Sequence, residues 1–155
     1  MSKVLKIVVY IVVISLLIYL LAMLFIKVKE NLLPYDPKVD VLKKKLALVH
    51  KKATKISFHT DKKSYTINKK KMHLCVKDEN DNYYDDNMLI YVALHELAHV
   101  CCDEIGHTPK FWSIFDELLE KAANTIDPET NKPVYDPDGV INKNYCDSKY
   151  HNSPL

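Results

Sequence analysis

Residues 93–112 read ALHELAHVCCDEIGHTPKFW, and the spacing of His95, Glu96 and His99 within them decides how the rest of the chain is read. His95 and His99 are one helical turn apart, so both imidazoles project from one face and can grip a single ion. Imidazole is a good ligand for a borderline-soft metal such as zinc. Glu96 sits beside His95 and on the flank of His99. From there a carboxylate can act on a metal-bound water without ligating the metal itself. The competing reading, two surface histidines on a helix, explains neither the apolar pattern around the motif nor the turn and further histidine that follow.

A zinc site that works on a substrate takes three protein ligands and leaves a position open. His107 is the expected third ligand: Gly106 can adopt positive φ, end the helix and let the chain double back. Asp103 and Cys102 lie on the same helical stripe, and Glu104 is a further candidate, so these alternatives stay open. His50, His59, His73 and His151 have no ligand spacing and read as ordinary surface or core residues.

The stretch HELAHVCCDEIGHTPKFW resembles the active-site segment of the small SprT-like and WLM-type metallopeptidases. In that group an HExxH helix is followed by a short excursion, a Gly-His or Pro-His pair and a helix bearing aromatic residues. The matching positions are His95, Glu96, His99 and His107, with Phe111 and Trp112 on the packing helix, and the likeness spans roughly Tyr65 to Ala122. Here the third histidine comes eight residues after the second, whereas the metzincin pattern places it six after. The resemblance implies an α+β, minimal zincin-like domain holding one Zn2+ ion, a protein or peptide substrate, and hydrolysis of peptide bonds with Glu96 as general base. Two alternatives accompany it: a zinc-stabilised interaction module without catalysis, and a SprT-like protease acting on DNA-bound proteins.

Working outward, Asp85 or Asp86 is expected to cap the motif helix, which runs roughly from Asn87 to Glu104 with Gly106 as its left-handed stop. Thr108 and Pro109 read as the N-cap and first position of the next helix, with Phe111, Phe115, Leu118, Leu119 and Ala122 as its buried stripe. Upstream, three short β-leaning runs, 56–60, 64–68 and 72–77, are separated by polar turns and suggest a small antiparallel meander. The last run is the expected edge on which an extended substrate could lie. Before them, Asp36 and Pro37 open a helix whose Val39, Leu42, Leu46, Val49 and Ala53 form one apolar stripe. After residue 126, prolines, asparagines and aspartates predict an irregular tail wrapped on the domain. Its Tyr135, Tyr145 and Tyr150 are candidates for stabilising an oxyanion.

Residues 7–26, IVVYIVVISLLIYLLAMLFI, carry no charge. Twenty residues suffice to cross a hydrocarbon layer about 30 Å thick. The expected organisation is therefore an anchor over 1–29, a linker over 30–37 and a zincin-like domain over 38–155. Lys27, Lys29, Lys38, Lys43, Lys44 and Lys45 follow the span and favour a single-pass protein with its C-terminal domain in the cytoplasm.

All 22 basic residues are lysines. The missing arginine forks argue against sequence-specific DNA reading. Charge is divided: residues 1–71 hold 16 lysines against four carboxylates, and residues 72–155 hold six against 16. The lysines read as a solvated face near the membrane or as a contact for anionic head groups. Cys75, Cys101, Cys102 and Cys146 show no paired spacing, so free thiols in a reducing compartment are expected.

Overall fold

The computed structural model describes residues 2–31, 35–139, 141, 144–146 and 148–149. Residues 32–34 of the expected linker, Tyr150 and His151 lie outside them. The chain divides into two units, residues 1–34 and 35–155.

The first unit is one helix, α1 (Lys3–Asn31). Its segment Lys3–Val28 is long and apolar enough to cross a membrane. The Ser15 hydroxyl donates to the Val12 carbonyl at 2.9 Å, so the span's small polar side chain is satisfied within its own helix.

In the second unit, α2 (Lys38–Val49) begins where expected. Pro37 already has helical dihedrals, φ −60° and ψ −18°, and the Asp36 carboxylate accepts from the Lys38 N–H at 2.9 Å. Val39, Leu42, Leu46 and Val49 are buried along one side. A 3-10 segment, Lys51–Lys55, then leads into the sheet.

The sheet differs from the expected meander. Strands β1 (Ser57–Thr60), β2 (Tyr65–Ile67) and β3 (Lys71–Leu74) lie in the order β1-β3-β2. β1 runs parallel to β3, with Ser57 opposite Lys71, while β2 is antiparallel to β3, with Tyr65 opposite His73. The physical reason lies in residues 61–64, which have turn length but do not form a hairpin. Asp61 N–H extends the β1 ladder to the Leu74 carbonyl at 3.0 Å. Ser64 Oγ then accepts from Cys75 N–H at 3.0 Å, so the chain crosses the end of β3 before β2 begins. The central strand is therefore β3, and β2 is an edge.

Helix α3 (Asp86–Cys101) is the centre of the domain. Asp85 Oδ1 accepts from Asn87 N–H at 2.8 Å, capping it. Every residue from Met88 to Ala98 is buried. A helix apolar on all sides needs cover on all sides, and α2, α4 and the sheet supply it. It ends earlier than expected: Cys102 is already extended. Gly106, at φ +84°, therefore turns the following loop rather than stopping the helix.

Helix α4 (Pro109–Ala123) starts as expected, with Thr108 Oγ1 accepting from Phe111 N–H at 3.3 Å. Phe111, Phe115, Leu118 and Ala122 are buried against α3, while Leu119 is half-buried.

The tail is more regular than the expected irregular coil. β4 (Ile126–Asp127) pairs with β5 (Lys132–Pro133), and β6 (Asn144–Tyr145) pairs with β7 (Ser148–Lys149). The first hairpin is organised by Asp127, whose carboxylate accepts from Glu129 N–H at 2.9 Å and from the Thr130 hydroxyl at 3.1 Å. The second is fastened by a disulfide between Cys75 and Cys146. The expectation of four free thiols fails for this pair, because a separation of 71 residues leaves no local spacing to read. Cys101 and Cys102 remain free.

Candidate metal centre

Three imidazoles converge beside the C-terminal half of α3. The ligand atoms of His95, His99 and His107 all lie within 4.8 Å of one another. His95 and His99 come from successive turns of the buried helix, which leaves little freedom to their backbone. His107 arrives from the loop after it, turned by Gly106 and followed directly by the Thr108 cap of α4.

The three rings could hold a metal ion. His95 Nε2 and His107 Nε2 stand 3.0 Å apart, and nitrogens sharing a zinc at ordinary bond lengths stand ~3.3 Å apart. The ring centroids form a near-regular triangle with sides of 5.1, 4.9 and 4.9 Å. Burial, then the neighbouring His99 and His107, push the His95 pKa down to about 3. Burial, then His107 and Lys69, push that of His99 down to about 4. Neutral imidazoles with free lone pairs are the form that binds a metal.

Helix α4 holds the rings in place. Phe111 lies 4.9 Å from His95, 4.3 Å from His99 and 4.8 Å from His107 between centroids. Trp112 stacks on His107 at 5.5 Å, and Phe115 meets His95 edge-on at 5.2 Å. These aromatic rings restrict imidazole rotation, so the three nitrogens stay convergent.

Glu96 is buried, with 4% of its surface exposed. Burial raises its pKa to about 7, opposed by a hydrogen bond from Thr66. Thr66 Oγ1 donates to Glu96 Oε2 at 2.9 Å from the edge strand β2. Sequence reasoning missed this contact: a threonine thirty positions upstream carries no periodic relation to the motif.

The competing ligands lie elsewhere. Asp103 is exposed and paired with Lys110 at 2.7 Å. Cys102 is buried and Glu104 exposed, and among the described residues neither joins the histidine cluster. His50 Nδ1 accepts from Lys52 N–H at 3.2 Å. His59 and His73 stack on each other on the sheet, and Tyr65 stacks on His73 at 4.6 Å.

The tyrosines singled out in the tail have other partners. Tyr145 is fully buried, its hydroxyl sharing a 2.8 Å hydrogen bond with Ser64 and donating to the Cys75 carbonyl. Tyr135 is buried beside Tyr91, 6.2 Å away. The expected substrate edge, β3, is the inner strand, and β1 and β2 are the edges.

No protein-family model matches the chain. No solved structure matches it either. It is similar to three viral proteins, each described only as uncharacterized. Protein 136R of Invertebrate iridescent virus 6 is 52% identical over 89 residues, covering 56% of this chain and 46% of the relative. Protein 042R of Invertebrate iridescent virus 3 is 47% identical over 87 residues, covering 56% and 50%. Protein R325 of Acanthamoeba polyphaga mimivirus is 42% identical over 59 residues, covering 37% and 30%. The chain thus aligns with about half or less of the length of these relatives.

Proposed function

We propose that this chain is a zinc-dependent peptidase of the HExxH type, with a zincin-like domain that resembles the SprT-like and WLM-type enzymes. The observation that carries the reading is the convergence of His95, His99 and His107 within 4.8 Å, next to a buried carboxylate on the same helix. A structural zinc site takes four protein ligands. Among the described residues this cluster has three, which favours a site with an open position.

His95, His99 and His107 would hold the ion. When bound, zinc acidifies a water and polarises a scissile carbonyl. Glu96 accepts the proton of the attacking water and later delivers it to the leaving amine. Thr66 keeps one carboxylate oxygen, Oε2, in a fixed direction. β2 offers unpaired backbone groups on its outer side, where an extended peptide can add as a further strand.

The test uses the full chain purified in detergent. One zinc per chain is expected, with loss on substituting any of the three histidines by Ala. Glu96→Gln should keep the zinc and abolish cleavage of a peptide library. A metal-free wild type, or a Glu96→Gln variant that cleaves at the wild-type rate, would overturn the proposal.

A further inference from the structure

Five lysines gather at one end of the three-stranded sheet, beside the histidine cluster. The parallel strands β1 and β3 both start there, with Ser57 N–H donating to the Lys70 carbonyl at 2.9 Å. Lys51, Lys52 and Lys55 lead into β1, and the turn from β2 to β3 supplies Lys69 and Lys70. Two of them reach the C-terminal end of α3, where carbonyls accept: Lys52 Nζ donates to Val100 O at 3.4 Å and Lys69 Nζ to Cys102 O. Among the described residues, none of the five has a carboxylate within 4 Å. Asp103, already held by Lys110, lies within reach of the Lys69 charge, and Glu117 acts on His50 and Cys101.

Lys69 stands out by its backbone. Asn68 and Lys69 have φ +50° and +55°, a left-handed pair in which glycine is the usual second residue. A lysine there is strained, yet its ammonium reaches the Cys102 carbonyl at the end of the helix that carries His99. Thr66, three positions before Lys69 and on the edge strand β2, touches Glu96. A peptide lying along β2 with its reacting bond over Glu96 runs on toward the turn at Asn68 and Lys69, and so toward the lysine group.

We propose that this site selects acidic polypeptides, with Asp or Glu on the side of the reacting bond that faces Lys69 and its neighbours. The position of that bond rests on the peptidase reading; the binding preference does not. Anionic substrates would also be drawn in by the field of the unpaired lysines, an effect that salt weakens.

The experiment measures fluorescence anisotropy of labelled peptides on the zinc-loaded, full-length Glu96→Gln protein in detergent. Peptides of one backbone carry either Asp/Glu or Asn/Gln. Acidic peptides should bind at least about tenfold tighter at 50 mM salt and lose most of that advantage at 300 mM. Lys69→Gly should relax the strained turn, leave the melting temperature unchanged or higher, and remove most of the preference. Replacing Lys62 and Lys63, which follow β1 at the opposite end of the sheet, by Ala should leave it intact. Equal binding of both peptide sets, or a preference untouched by Lys69→Gly, overturns the proposal. So does tighter, competing binding of single-stranded DNA or phosphatidylserine vesicles, which would make phosphate the ligand. Acidic preference without cleavage by wild type would sink the peptidase reading and sustain this one; cleavage of both peptide sets alike would do the reverse.

Discussion

At the residue scale, the proposed chemistry rests on how few degrees of freedom Glu96 retains. Its backbone belongs to a buried helix and one carboxylate oxygen is held by Thr66. Removing that hydroxyl should disturb the reacting group without disturbing the ligands. Thr66→Val is expected to lower kcat about tenfold, the scale of one hydrogen bond to a charged group, with KM and zinc content unchanged. Thr66→Ser should restore most of the rate. Steady-state kinetics beside metal analysis would check this, and a Val variant that loses zinc would show a merely structural role. His95, Glu96 and His99 were legible in the sequence because helical periodicity alone places them. Thr66 was not, since the fold sets its position across thirty residues of intervening chain.

At the scale of elements, the decisive piece is the loop from Cys102 to His107. Gly106 has φ +84° and no atom within 4 Å of where a Cβ would stand. The demand for glycine is therefore conformational rather than steric. Gly106→Ala should cost about 1–2 kcal/mol, the penalty for a left-handed L-residue. Because the loop carries one of three ligands, the cost should appear as zinc affinity weaker by about fivefold to thirtyfold, read by competition with a chromophoric chelator. The glycine's positive φ and the turning of the chain toward His107 were readable beforehand, but the end of the helix at Cys101 was not. The expected helix overran to Glu104 because nothing in Cys102-Asp103-Glu104 breaks a helical pattern. The sheet order was likewise hidden: strand lengths and polar separators were clear, while the crossing fixed by Ser64 and Cys75 depends on a hydrogen bond that no local pattern announces.

At the scale of the whole molecule, the Cys75–Cys146 bond ties the last described hairpin to the end of β3. Tyr145 is buried beside it against Tyr84, at 4.8 Å. Closing a loop of 71 residues restrains the unfolded chain by roughly 4 kcal/mol in the loop-entropy account. Cys146→Ser is expected to lower stability by about 2–4 kcal/mol in chemical denaturation of the detergent-solubilised protein. The bond also bears on topology. Lysines following the apolar helix favour a cytoplasmic domain, whereas disulfides persist in oxidising compartments. Alkylation after acid quenching and denaturation of the cells separates the two: with the bond formed, only Cys101 and Cys102 are modified, and modification of all four cysteines would return the domain to the cytoplasmic side.

The three histidines do not share one mechanical footing. Two are mounted on the most deeply packed helix, and the third rides a short bridge whose Ile105 is 95% exposed. Withdrawal of a bound ion would thus slacken one bank of the site while the other stayed rigid. A chelator should leave the core's amide protection in place yet open the exposed Glu104 to a nick by an added glutamyl-specific serine protease, which needs no metal, and resupplied zinc should close it again. Limited digestion followed by mass spectrometry would reveal that one-sided hinge.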